Sequence, residues 1–288
     1  MSLDLDDRQR AMLQEMGVRV WLPDADMAPV AEVAAHGAFQ AAIAIAVERV
    51  TGGPATVPTP ARATPAPTPA MGEPLALQGL AWSDLAETAS ACQACGLCVG
   101  RKHSTLGMPD QPVQADWMVV GDPPDEDEDR LGQPFVEQPG LLLDNMLKAV
   151  GAGRSGQGRQ RAYLSNVVKC RPPMGRLPQA AELAQCAQYL HREMELVQPK
   201  LILAMGRFAA QLLLEEHPQE AALPLGKQRG RVYRYRGVPV IVSYHPKVLL
   251  RASADKAKAW ADLCLAMDVL ENLPPRSAAA RVAAPQGD

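Results

Sequence analysis

The sequence predicts an α/β fold, a parallel sheet with helices covering both faces. Two observations carry this expectation. From residue 117 onward, short apolar runs alternate with longer stretches whose apolar residues recur at helical spacing. Strands that read apolar throughout are those buried on both faces. The chain is also large enough: 288 residues, 47% hydrophobic and 21% charged, can bury a substantial core. With 4% aromatic residues, that core must be mostly Leu, Val and Ala.

In chain order, residues 1–51 hold a helical pattern (Arg8–Met16), a strand-like run ending at Pro23 and an Ala-rich helix near 38–49, too little for an independent domain. Residues 52–76 are rich in Pro, Ala and Thr and predict a semi-rigid spacer, extended by ~3.1 Å per residue. The main domain spans 77–273. Trp117–Val120 reads as the first strand, ending at Gly121, and Leu141–Val150 as a helix. Tyr163–Val168 is a second strand and Gln179–Val197 a second helix. Leu201–Met205 is a third strand, followed after Gly206 by the helix Arg207–Leu214. Val232–Arg236 and Val238–Val242 flank Gly237 as a hairpin, and Ala254–Leu270 closes the domain. The tail, 274–288, reads as disordered. Ligands of such sheets bind beyond the carboxyl ends of the strands. That rule places 121–129, 166–176, Gly206 and 244–246 on one rim.

Composition narrows the function classes. No uninterrupted apolar run approaches the ~18 residues of a membrane span. The start, MSLDLDDRQR, lacks the basic and apolar regions of an export signal, which predicts a cytoplasmic protein. Its cysteines then read as ligands or reduced thiols. The net charge of −3 excludes a uniformly basic coat, yet residues 225–258 carry nine Lys and Arg against one acid, the footprint of a face that meets phosphates.

Cys92 and Cys95 form a C-x-x-C, with Cys98 three residues on; Cys170 follows a strand and Cys186 lies on the next helix. A C-x-x-C with two distant thiols suffices for a four-thiolate site holding zinc or an iron–sulfur cluster. By spacing alone, Cys170 and Cys186 are equally well read as small core residues, as Cys264 is.

Several segments together resemble the family 4 uracil-DNA glycosylases, the thermostable iron–sulfur type. The C-x-x-C-x-L-x3-R opening is met by Cys92, Cys95, Leu97 and Arg101. The GE(A/G)PGxxED loop corresponds to residues 121–129, read here as GDPPDEDED, and GxPFVGxAG to 132–140, read as GQPFVEQPG. TNVVKCRPPxNRxP appears as SNVVKCRPPMGRLP (165–178), and HPAYLLR as HPKVLLR (245–251). The resemblance covers about 90–270. It implies a three-layer α/β/α sandwich with a short parallel four-stranded sheet. It implies a [4Fe-4S] cluster on Cys92, Cys95, Cys170 and Cys186, with zinc as the alternative and Cys98 extra to the pattern. It also implies release of uracil from DNA by hydrolysis of the N-glycosidic bond.

In that reading Gly121, Phe135 and Asn166 bind the base: Phe135 by stacking, Asn166 by accepting from N3–H and donating to O4. His245 stabilises charge on O2, and Asp122 is the catalytic carboxylate. Arg251, Arg171, Arg176 and Lys247 meet DNA phosphates. Each residue alone also has an ordinary role: Phe135 in the core, Asn166 in a turn, His245 in a surface loop. The loop departs from the family where Asp122 replaces Glu, Pro123 follows it, and Asp125 and Glu137 replace glycines. These changes predict slower excision, Asp125 by occupying a position that needs glycine's φ freedom. The acidic run 125–129 also reads as a solvated loop. The alternative is a weakened relative acting as a DNA-binding or adaptor protein. A monomer is expected, and residues 1–51 are a candidate tether to a replication or repair protein, since Arg8–Leu22 faintly resembles the psi subunit of bacterial DNA polymerase III.

Overall fold

The computed structural model describes residues 75–106, 114–155 and 158–273. The segment 1–51, most of the 52–76 spacer and the 274–288 tail lie outside the described residues. Within them, the elements run in the expected order. The helix α1 (Trp82–Ala91) precedes β1 (Ala115–Gly121), α2 (Glu126–Leu131) and α3 (Glu137–Ala149). Then come β2 (Gly158–Asn166), α4 (Ala180–Val197), β3 (Leu201–Met205) and α5 (Arg207–Leu213). Two single turns, α6 (Pro218–Ala221) and α7 (Leu225–Gln228), lead to the hairpin β4 (Val232–Tyr235) and β5 (Val238–Ser243). The helices α8 (Pro246–Arg251) and α9 (Lys256–Asn272) follow.

The sheet order is β2-β1-β3-β5-β4. The first four strands are parallel, and β4 pairs antiparallel to β5 at the edge. The expected four-stranded sheet is thus five-stranded, because the 232–242 hairpin adds its first arm to the edge. Arg236 and Gly237 both have positive φ, the twist a two-residue hairpin turn requires.

Side chains alternate between two cores. Met118, Val120, Ile202, Ala204, Val240 and Val242 face Leu85 of α1, Leu190 of α4 and Leu213 of α5. Trp117, Val119, Leu201, Leu203 and Ile241 face Leu143 and Met146 of α3 and Trp260 and Leu263 of α9. This period-2 division produces the three layers. Each fully buried Leu contributes roughly 1.5–3 kcal/mol. Cys264 packs only partly buried against the second core.

Element ends differ where local chemistry intervenes. The α3 helix starts at Glu137, ahead of the apolar pattern, and Pro139 falls in its first turn, where its missing N–H needs no partner. The acidic run is no solvated loop. Asp125 caps α2 by accepting from the Glu128 N–H at 2.9 Å, and the Glu128 carboxylate returns the bond to the Asp125 N–H at 3.0 Å. That turns Glu128 and Asp129 inward, each 1% exposed. Asp125 itself has φ −91°, so the position needs no glycine. Glu137 does occupy a left-handed position, at φ 53°.

Candidate active site and thiol cavity

Parallel register aligns the strand ends. Gly121 pairs with Asn166 on one side and Met205 on the other, and Met205 pairs with Ser243. The next residues therefore leave the sheet together, and Asp122, Asn166, Gly206 and His245 meet at one rim.

Two glycines allow the close approach. A Cβ on Gly121 would lie 2.5 Å from Phe135 Cζ, so only glycine lets that ring slide under the end of β1. Gly206 has φ 107°, and a Cβ there would collide with the Asp122 carboxylate. Asp122 Oδ1 accepts from the Phe208 N–H at 2.8 Å and the Ala209 N–H at 3.4 Å, holding the carboxylate across the start of α5. Burial pushes the Asp122 carboxyl upward, while those N–H groups, that of Arg207 and the Lys247 ammonium pull it down; burial wins.

His245 is 3% exposed and caps α8. Its Nδ1 accepts from the Lys247 N–H at 3.2 Å, which leaves the ring proton on Nε2. Burial, with Lys247 nearby, lowers its pKa to about 3, so the imidazole is neutral at physiological pH. The ring stacks on Phe135 with centroids 5.3 Å apart and planes 14° from parallel.

Asn166 is fully buried. Its Nδ2 donates to the Asp122 carbonyl oxygen at 2.9 Å and to Glu128 Oε1 at 3.2 Å. Both partners are acceptors, which fixes the amide orientation. Among the described residues Asn166 Oδ1 is buried with no hydrogen-bond partner. A buried orphan acceptor is costly unless something fills it. Here it is free to take an N–H from a bound molecule, whereas the donor the sequence reading assigned to O4 is already engaged.

Glu128 joins these parts. Its carboxylate also accepts from the Phe135 N–H at 2.7 Å and from Lys247 Nζ at 2.9 Å. In the sequence Glu128 is legible, with Asp129, as one of the two acids that this chain shares with the GE(A/G)PGxxED loop; its contacts with Asn166, Phe135 and Lys247 are not legible there. Lys247 Nζ lies 2.7 Å from Asp125 Oδ2 as well. Burial alone would lower its pKa, but the Glu128 and Asp125 carboxylates outweigh that and raise it.

A cleft of about 450 Å³ opens over this rim, lined by Asp122–Glu126, Arg171, Pro172, Gly175–Pro178, Phe208, His245, Lys247 and Val248. Phe135 and Asn166 do not line it; they touch residues that do. Of the basic candidates, Arg171 reaches Glu126 at 3.2 Å, Arg176 is held by Glu182, and Lys247 by its two carboxylates. Arg251 is exposed and makes no ion pair among the described residues.

On the other side of β2, Cys92, Cys95, Cys98, Cys170 and Cys186 line one small apolar cavity together with Tyr189. None is in a disulfide. Burial raises the Cys95, Cys170 and Cys186 thiols, Cys170 to about 11. Arg101 Nη1 donates to Cys170 Sγ at 3.2 Å, and the Lys169 N–H to Cys186 Sγ at 3.3 Å. Among the described residues no group of three or more His, Cys, Asp or Glu is arranged to hold a single metal ion. Thiols lining a shared cavity, with N–H donors on two of their sulfurs, are a donor set that suits an iron–sulfur cluster. Cys98 shares the cavity as a fifth thiol.

No helix among the described residues is long and apolar enough to cross a membrane. The family model of the uracil DNA glycosylase superfamily matches residues 108–264. A type-4 uracil-DNA glycosylase of Archaeoglobus fulgidus is 34% identical over 171 residues, covering 58% of this chain and 82% of the relative. The type-4 enzyme of Pyrobaculum aerophilum is 34% identical over 185 residues, 63% of this chain and 90% of the relative. That of Thermotoga maritima is 32% identical over 175 residues, with 60% and 85% covered.

Proposed function

The chain belongs to the uracil DNA glycosylase superfamily, and from that premise we propose that it releases uracil from DNA by hydrolysing the N-glycosidic bond of deoxyuridine. Water adds to C1′, the C1′–N1 bond breaks, and uracil leaves with the electron pair.

The observation that carries this reading is the buried Asn166 Oδ1, without a partner among the described residues, on the same rim as a His245 whose Nδ1 is already engaged. Asn166 Oδ1 accepts the uracil N3–H. His245 Nε2–H donates to O2 as negative charge grows there, its proton placed on Nε2 because Nδ1 accepts from the Lys247 N–H. Phe135 offers an aromatic surface to the base. Asp122, with Oδ1 anchored on α5, presents its second oxygen to orient water or balance positive charge on the sugar. Deoxyuridine in a duplex must leave the stack to reach these groups, and Arg251, exposed and without an ion pair among the described residues, would hold the flanking phosphate; Arg171, Arg176 and Lys247 act from positions already paired.

Cys92, Cys95, Cys170 and Cys186 would hold a [4Fe-4S] cluster. When bound, the cluster supplies a cross-link joining the end of α1, the segment after β2 and α4; none of these thiols belongs to the base site. A DNA substrate suits a cytoplasmic, nucleoid-associated protein; we further propose that it acts as a monomer, with residues 1–51 as a candidate tether to a replication or repair protein.

The test is a uracil-containing oligonucleotide treated with the protein and then with alkali. Strand scission at the uracil is expected. Binding without release would leave only the DNA-binding relative.

A further inference from the structure

We propose that Lys169 and Glu193 are positioning residues for base recognition: their buried ion pair holds the Asn166 backbone from beneath and ties it to the thiol cavity. The inference rests on the glycosylase reading of the pocket.

The two side chains are 2% and 1% exposed, with Lys169 Nζ 2.6 Å from Glu193 Oε2. The same ammonium donates to Ser165 Oγ at 2.5 Å and to the Asn166 carbonyl oxygen at 2.9 Å. Its three hydrogens thus have three acceptors. Glu193 in turn accepts from the Tyr163 hydroxyl at 2.7 Å and from Ser165 Oγ at 2.9 Å. No member of this network is among the buried polar atoms lacking a partner.

The backbone of Lys169 faces the other way. Its N–H donates to Cys186 Sγ, its carbonyl oxygen accepts from the Thr105 N–H at 3.0 Å, and the next residue is Cys170. One residue therefore contacts both the strand end that carries Asn166 and two of the candidate cluster ligands.

A buried ion pair is a poor way to add stability, since desolvation offsets the attraction and an apolar pair of similar volume serves as well. What it adds is direction. Pairing between β1 and β2 ends at Gly121 and Asn166, with one last backbone bond from the Val167 N–H to the Gly121 carbonyl oxygen at 2.9 Å. That bond holds the strand end from the β1 side only; Lys169 holds the Asn166 carbonyl oxygen from the other side, against Glu193 of α4. Asn166 can present Oδ1 to a base only if this strand end is held, and a displacement of an ångström at such a group costs about 10²-fold in rate.

Removing one charge strands the other, so single substitutions confound folding with positioning. The informative protein is the full-length double variant Lys169→Met/Glu193→Leu, compared with wild type for iron per chain, visible spectrum, thermal midpoint, DNA affinity and single-turnover uracil release. We expect unchanged iron, spectrum and affinity, a somewhat lower midpoint because the buried Tyr163 hydroxyl loses its acceptor, and release slower by about 10²-fold. A double variant that releases uracil at the wild-type rate overturns the inference. So does one that loses iron and thermal stability together with the rate, which would make the pair merely structural. Wild type that releases no uracil overturns the pocket reading itself, and this inference with it, a failure visible without the variant.

Discussion

Replacing Asn166 by aspartate puts an acceptor where the fold needs a donor, and the consequence depends on pH. Nδ2 of the buried asparagine donates to the Asp122 carbonyl oxygen and, at 3.2 Å, to Glu128 Oε1. An ionised Asp would set a carboxylate oxygen against Glu128 at that distance. At an effective dielectric of about 20, two like unit charges so placed repel by about 5 kcal/mol. Lys247, 2.9 Å from Glu128 Oε2, offsets part of this, but burial acts in the same direction as the repulsion. The folded variant therefore keeps its proton well above the ordinary aspartate range. The unfolded chain ionises near ~3.9, so below that pH the variant lacks only the second donated bond, to the Asp122 carbonyl oxygen, and above it loses a further ~1.4 kcal/mol per pH unit until its own raised pKa is reached. By pH 6 the cost is ~3 kcal/mol. As a neutral acid the new side chain still donates to Glu128 through O–H and still accepts N3–H. Single-turnover uracil release, measured from pH 5 to 8, should thus fall by about 10²-fold or more at the alkaline end, and the variant-to-wild-type ratio should climb as pH falls. The ionised form, an acceptor that suits the N4 amino group of cytosine, is where any cytosine release should appear. A ratio independent of pH, or wild-type rates throughout, would refute the assignment of Asn166.

Other outcomes follow from the same geometry. His245→Ala should slow single-turnover release by ~10²-fold, the scale of one lost oxyanion donor. Because the pKa of His245 lies at about 3, the wild-type pH–rate profile should show no step near 6.5 that His245→Ala removes; such a step would mean a charged imidazole acts. Cys170→Ala and Cys186→Ala should each abolish bound iron and broad visible absorption in anaerobically prepared protein, whereas stoichiometric zinc in wild type would move the site to the structural zinc class. Glu137→Gly should raise stability by about 0.5–1 kcal/mol, since φ of 53° costs a side chain more than glycine's extra freedom does; urea unfolding at neutral pH reads this directly, and a loss would show that the exposed pair with Arg130 matters more than the strain.

The sequence by itself determined the layers. Apolar runs such as Leu201–Met205 and Trp117–Val120 are legible because burial on both faces leaves no polar position in them, and a local pattern suffices. It determined the rim too, since residues after parallel strands must emerge on one side: Asn166 ends its strand, Asp122 follows its strand by one residue and His245 by two. Tertiary structure alone decided what each of them can do. The protonation of His245 depends on burial and on the Lys247 N–H. The free acceptor of Asn166 exists because Glu128, 38 residues away, accepts from the other end of the amide. Glu128 reads in the sequence as an acid shared with the family loop, but only the capping box shows it turned inward. Lys169 and Glu193 lie 24 residues apart on different elements, and no spacing rule foretells a buried pair. Periodicity records which way a residue faces; partners and their energies arise only where distant segments meet.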